Sequence, residues 1–332
     1  MDRIARFSFL ALAVAFAVAL VAPAAALAVT PAFVTTFGTS GPGTLSGPCA
    51  AVIGAGGDVF IADYNNSRVV RFATSGAYVN AWATSSQPSG IAADSAGNVY
   101  VAEYGTNQIQ KYSSAGTLLT TWPTGSGPAR LVAAAPDGTI YLGDFNTNTI
   151  EHFSNTGTLL GSWACGANPG GVAVDSAGNV YVSNYGADKV QKFTATGSLV
   201  TQWGSSGAGD GQFSQPMGMT VGPNGHLYVA DYGANSRIQE FTTAGTFVGK
   251  WGSPGSGNGQ FVNPYGAAIN SVGAIFVPDW GNNRVDVFSQ PLPTTTTTNT
   301  PASSDWSLAL LAVVGLFVAE TVRRRTGKTT EA

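Results

Sequence analysis

Ionisable side chains are scarce in this sequence. Asp, Glu, Lys and Arg make up 10% of the 332 residues, and histidine occurs only twice, at His152 and His226. A catalytic zinc site normally takes three protein ligands. The two histidines occupy different places in their surroundings, His152 in a strand and His226 in a hairpin turn, so no set of imidazoles converges. No metal site and no cofactor is expected. Between residues 29 and 293 there are 9 Lys and Arg against 14 Asp and Glu, a net charge of −5. Phosphate neutralisation needs clustered Lys and Arg, so nucleic acid is excluded as a partner. Cysteine is equally sparse, with Cys49 and Cys165 alone. No nucleophile elbow and no paired catalytic carboxylates stand out. The glycine-rich stretch at 255–259 does not run into Lys-Ser/Thr, so it is a connecting loop rather than a phosphate cradle.

Glycine (43 residues) and aromatics (11%) are plentiful, a mix suited to short strands joined by tight turns. The octapeptide DSAGNVYV occurs at 94–101 and again at 175–182. Looser copies read GAGGDVFI (54–61), PDGTIYL (136–142), GPNGHLYV (222–229) and NSVGAIFV (270–277). Six copies at about 40 residues each, built from short β runs, are the signature of propeller blades. The fourth unit reads as four strands: 170–174, 180–184, 189–193 and 199–203. Alternation in V-Y-V and V-Q-K-F is the period-2 pattern of a strand with two different faces. Phe37, Trp82, Trp122, Trp163, Trp203 and Trp251 mark the blade ends. Residues 31–38 (PAFVTTFG) resemble such an end without the strands that should precede it, and the sixth repeat lacks a terminal strand. The N-terminal strand is therefore expected to complete the last blade and close the ring. Cys49 and Cys165 fall in the first and fourth repeats, on opposite sides of such a ring. They are expected to be free thiols, since a disulfide needs Cα atoms within about 7 Å.

The pattern P-x-G…D-S-A-G-N-V-Y-V-A-D-x-x-N-x-R-V-Q-x-F resembles the NHL repeat. The sixth unit (263–288) is the fullest match, the fifth (215–241) is close and the third (128–153) is the most degenerate. The resemblance implies an all-β fold, a six-bladed β-propeller of NHL/TolB-like type, over residues 29–290. Some relatives of NHL propellers are zinc-dependent amidating lyases with histidine ligands on several blades, which this chain cannot supply. Lactonase-type propellers hold Ca²⁺ with acidic and amide groups near the channel. Here Asp94 and Asp175 are matched elsewhere by Gly54, Ala135, Gly222 and Asn270. An Asp that opens a tight turn more commonly binds its own backbone, which is the expectation here.

Two further sets recur. Asp63, Glu103, Asp144, Asn184, Asp231 and Asp279 end the second strands, and Arg68, Gln108, Thr149, Lys189, Arg237 and Arg284 follow. Wherever the base is Arg the acid is Asp, and where it is Lys the acid is Asn. Asp63–Arg68, Asp231–Arg237 and Asp279–Arg284 are expected to be structural ion pairs bracing a loop, since Arg offers a planar fork to a carboxylate. Immediately after each acid stands an aromatic: Tyr64, Tyr104, Phe145, Tyr185, Tyr232 and Trp280. These six either form a ring on one face, able to stack on a sugar or grip a peptide, or pack between blades.

The ends differ in composition. Residues 1–28 carry Arg3 and Arg6 before an apolar run and an Ala-Leu-Ala cleavage site, the pattern of a signal peptide. Residues 291–305 are rich in Pro and Thr, as in an extended stalk. Residues 306–322 are apolar enough for a short transmembrane helix, followed by a basic tail at 323–332 that is expected to be cytoplasmic. Leu292-Pro293-Thr294-Thr295-Thr296 resembles a sortase signal except that Thr296 stands in place of glycine. The chain is expected to be exported and held at the cell surface through the C-terminal membrane helix, its propeller monomeric and displayed outside. The expected partner is an extracellular protein or carbohydrate. The alternatives are a lactonase- or lyase-type enzyme and a purely structural surface protein.

Overall fold

The computed structural model describes residues 30–125 and 129–289. The segments read as signal peptide, stalk, membrane helix and basic tail lie outside the described residues. Among the described residues, no helix is long and apolar enough to cross a membrane.

Six sheets of four antiparallel strands make up the fold. The fourth blade runs Pro169–Val174, Val180–Asn184, Lys189–Phe193 and Leu199–Trp203, the inner strand starting one residue earlier than the alternation indicates. In the sixth blade the inner strand shortens to Ala268–Ile269, followed by Ala274–Asp279 and Arg284–Ser289. Its outermost strand is Ala32–Phe37, from the other end of the chain, with Phe37 opposite Val285 and Thr36 opposite Asp286. The ring therefore closes as the orphan strand requires. One placement differs from the sequence reading: His226 opens the strand His226–Asp231 rather than sitting in the turn. Cys49 lies within the first inner strand, Pro48–Ile53. Both cysteines are free and buried.

The core lies between blades. The Tyr of each V-Y-V motif turns to one flank, and Tyr100, Tyr141, Tyr181 and Tyr228 are fully buried. The blade-end aromatics have a specific partner in the next blade. A Cβ built on Gly157 would lie 2.5 Å from Trp122, one on Gly116 2.6 Å from Trp82, and one on Gly197 2.5 Å from Trp163. Gly245 meets Trp203 and Gly76 meets Phe37 in the same way. A glycine in the hairpin between third and fourth strands thus receives the indole face of the preceding blade, and only a hydrogen side chain leaves room for it.

Near the axis the inner strands crowd together. Gly218 N–H donates to Tyr265 O at 2.9 Å, a backbone bond between neighbouring blades. A Cβ on Gly218 would sit 2.5 Å from that oxygen, and one on Gly171 2.6 Å from Met217 O. Small residues at these positions let six inner strands converge on one channel.

Candidate functional site

The acids at the ends of the second strands hold the loops that enter each blade. Asp63 Oδ1 accepts the Ser46 N–H (2.7 Å), Asp231 Oδ1 that of Ser214 (2.6 Å) and Asp279 Oδ1 that of Val262 (2.8 Å). Arg68 Nε binds Asp63 at 2.7 Å and Arg237 Nε binds Asp231 at 2.9 Å, whereas Arg284 Nε stands 3.5 Å from Asp279 and its Nη2 donates to Asp286 at 3.1 Å. Each guanidinium also donates to loop carbonyls; Arg237, for instance, binds the oxygens of Ala208 (2.7 Å), Gly209 (2.8 Å) and Gln212 (2.9 Å). The pairs therefore clamp whole loops, which spacing in the sequence does not reveal. In blade four, Asn184 turns instead to Gln191, donating to its Oε1 at 2.7 Å.

Blade two has no arginine to match Glu103. This fully buried carboxyl accepts the Ser86 N–H at 2.7 Å, and burial pushes its pKa up to about 7 from 4.5. The folded chain thus binds a proton there more tightly than the unfolded chain, so stability falls as pH rises between those values. Glu103→Gln is expected to flatten this part of the profile and to stabilise the fold at pH 7.5 by something on the order of 1 kcal/mol. Thermal melts of both chains from pH 4.5 to 8 measure it.

The six aromatics come together around one mouth of the channel. Ring centroids stand 6.0 Å apart for Tyr64–Tyr104, 5.9 Å for Phe145–Tyr185, 6.5 Å for Tyr185–Tyr232 and 5.1 Å for Tyr64–Trp280. All six are partly exposed, and several also rest on the core below, so ring formation and packing between blades are one arrangement. Two residues the sequence reading missed complete the circle. Tyr265 bridges Tyr232 (5.4 Å) and Trp280 (5.6 Å). The Arg130 guanidinium fills the remaining gap, 5.4 Å from the Tyr104 ring centre and 4.2 Å from that of Phe145. It also donates across the channel to Tyr265 Oη at 3.3 Å. Burial pushes the phenols of Tyr64, Tyr232 and Tyr265 up, while Arg130 pulls each of them back down. One cation therefore acts on side chains from blades one, five and six. The hydroxyls of Tyr64, Tyr104, Tyr185 and Tyr232 have no hydrogen-bond partner among the described residues.

Below this mouth lies a cavity of about 40 Å³ lined by Cys49, Leu131, Met219 and Tyr265 among others. The opposite mouth is wider, about 680 Å³, and includes Asp94 and Asp175. Both acids are occupied by their own turns. Asp94 accepts from the Asn98 N–H (2.8 Å), Asn98 Nδ2 (2.7 Å) and Tyr100 Oη (2.9 Å). Asp175 repeats this with Asn179 and Tyr181. Hydrogen bonding holds both carboxyls below the ordinary carboxylate range, against burial acting the other way. No cluster of three or more His, Cys, Asp or Glu suited to a metal occurs among the described residues. The histidines lie elsewhere, His152 stacked on Tyr141 at 4.2 Å and His226 Nδ1 2.6 Å from Glu240.

Six four-stranded sheets in a ring with a shared last blade define a six-bladed β-propeller. Two of its units match the NHL repeat family model: residues 86–112 and 213–241, the second and fifth. The sixth unit, the fullest match by inspection, is the one with the shortened inner strand. A search of curated proteins returned no relative. Solved structures with the same fold include a streptogramin B lyase (TM-score 0.55, 16% identity, 72% of this chain and 78% of that one). A Bacteroides thetaiotaomicron protein of unknown function aligns with a TM-score of 0.63 and 18% identity over 74% of this chain and 70% of that one. A catalytically inactive histidine-to-alanine variant of virginiamycin B lyase from Staphylococcus aureus, with quinupristin, aligns with a TM-score of 0.54 and 16% identity over 80% and 89%. At these identities the likeness is one of fold.

Proposed function

We propose that this propeller is a binding module displayed outside the cell, and that the aromatic mouth is its ligand face. The observation that supports it is the circle of Tyr64, Tyr104, Phe145, Tyr185, Tyr232 and Trp280, with four tyrosine hydroxyls that have no hydrogen-bond partner among the described residues. Aromatic side chains offer large contact area at low entropy cost, and hydroxyls at their tips give direction to it. The wider mouth has the volume of a ligand site, but its carboxylates already serve turns. Export and membrane anchoring rest on residues 1–28 and 306–322 and belong to the same proposal. The ligand is an extracellular glycan or protein.

A lyase- or lactonase-type enzyme is the second reading, supported by fold likeness to the streptogramin and virginiamycin B lyases. Neither His152, stacked on Tyr141, nor His226, paired with Glu240, lies at the aromatic mouth.

The test is capture from the producing cell's own envelope by the purified chain, repeated after protease treatment and after glycan removal. A Tyr104→Ala/Tyr185→Ala/Trp280→Ala variant runs alongside. Saturable capture by the native chain and at least tenfold less by the variant is expected. Equal capture by both would remove the aromatic mouth from the account.

A further inference from the structure

We propose that the aromatic mouth selects a carboxylate-bearing sugar, a uronic acid unit of an acidic glycan, and seats its carboxylate on Arg130. This rests on the reading of the mouth as a ligand face and names the class of ligand.

Arg130 differs from every other described arginine. Arg68, Arg71, Arg237 and Arg284 each lie within 4 Å of a carboxylate, and Arg130 is in no ion pair among the described residues. Its Nε is buried without a hydrogen-bond partner. Of the five N–H donors a guanidinium carries, one is engaged among the described residues, through Tyr265 Oη at 3.3 Å. A cation taken from water without a counter-ion is costly. The faces of Phe145 and Tyr104 offset part of that cost and fix the plane of the group. What results is a planar fork at the mouth with donors to spare, the geometry that takes a carboxylate with two parallel hydrogen bonds.

The surroundings favour a sugar over a peptide. Backbone amides of the entering loops, those of Ser46, Ser86, Ser214 and Val262, are already spent on Asp63, Glu103, Asp231 and Asp279. These four amides are therefore closed to a peptide. The mouth offers ring faces for the C–H face of a pyranose and tyrosine hydroxyls for its alcohols. Among the acids behind the ring, Asp63 and Asp231 are each matched by an arginine, and Asp279 shares Arg284 with Asp286. Burial raises the Glu103 pKa to about 7, and Asp144 is turned to the backbone N–H groups of Asn146 and Thr147. The charged residue entered through the irregular third repeat. At the matching inner-strand position the other blades carry Cys49, Ser89, Gly170, Met217 and Tyr265, none of them charged.

The experiment is calorimetric titration of the full chain with trigalacturonate, with its fully methyl-esterified form and with an acidic hexapeptide. Native chain, Arg130→Met and Tyr265→Phe are compared, each checked by thermal melting. Saturable binding of trigalacturonate, at least tenfold weaker for the ester and the peptide, is expected. Arg130→Met should erase the preference for acid over ester, and Tyr265→Phe, which frees the guanidinium, should reduce it several-fold. Equal affinity for acid and ester, or an unchanged preference in Arg130→Met, overturns the inference. So does tighter binding of the hexapeptide. Failure of trigalacturonate to bind a chain that still captures envelope material through its aromatics overturns the assignment to acidic sugars and leaves the binding module standing. Loss of both results removes both.

Discussion

Phe37→Ala is expected to lower stability by about 3–5 kcal/mol, the range for losing a buried Phe. Phe37 belongs to the one strand that crosses the seam between the chain ends. It is 7% exposed, and its ring centre lies 4.6 Å from that of Phe72 in blade one and 6.3 Å from that of Phe276 in blade six. The cavity would open where the first blade meets the last and where no other covalent connection holds them. At about 2–4 °C per kcal/mol, the value for a domain somewhat smaller than this one, the melting point should fall by roughly 6–20 °C. Val34→Ala on the same strand is the control. Val34 is 56% exposed, so its truncation should move stability by no more than about 0.5 kcal/mol. If the two variants melt alike, the N-terminal strand does not close the ring.

Gly197→Ala is the second large effect, an expected loss of about 2–5 kcal/mol. Two costs add here. The residue has φ +87°, where a Cβ costs about 1–2 kcal/mol. That Cβ would also lie 2.5 Å from Trp163 Cδ2, and overpacking a filled site costs about 1–3 kcal/mol. Gly225→Ala separates the two. Gly225 has φ +75° and nothing within 4 Å of its built Cβ, so only the backbone cost remains. Chemical denaturation should show Gly197→Ala the more destabilised by at least about 1 kcal/mol. Equal losses would mean that the indole does not seat on the hairpin glycine.

The blades were readable in the sequence because each one repeats the same local physics. Period-2 alternation and D-S-A-G-N turns locate second and third strands to the residue, and the strandless PAFVTTFG segment implies the closure at Phe37. The Asp63, Asp231 and Asp279 pairs were readable because acid and base lie a few residues apart. What escaped was long-range or irregular. The partner of Trp122 is Gly157, in the next blade, and a blade-end aromatic taken alone does not reveal it. Arg130 and Tyr265 are 135 residues apart and meet only because the ring brings blades three and six together across the channel. The unit that carries Arg130 departs most from the repeat. The signal lay in setting the six inner strands in register, where Arg130 is the one charged residue at its level.

The most direct test of the account is hydroxyl-radical footprinting of the chain with and without captured envelope ligand. Protection concentrated at Tyr64, Tyr104, Tyr185, Tyr232 and Trp280 is predicted, with residues around Asp94 and Asp175 at the other mouth unchanged. Protection at that opposite mouth, with the aromatic circle as reactive as before, would contradict it.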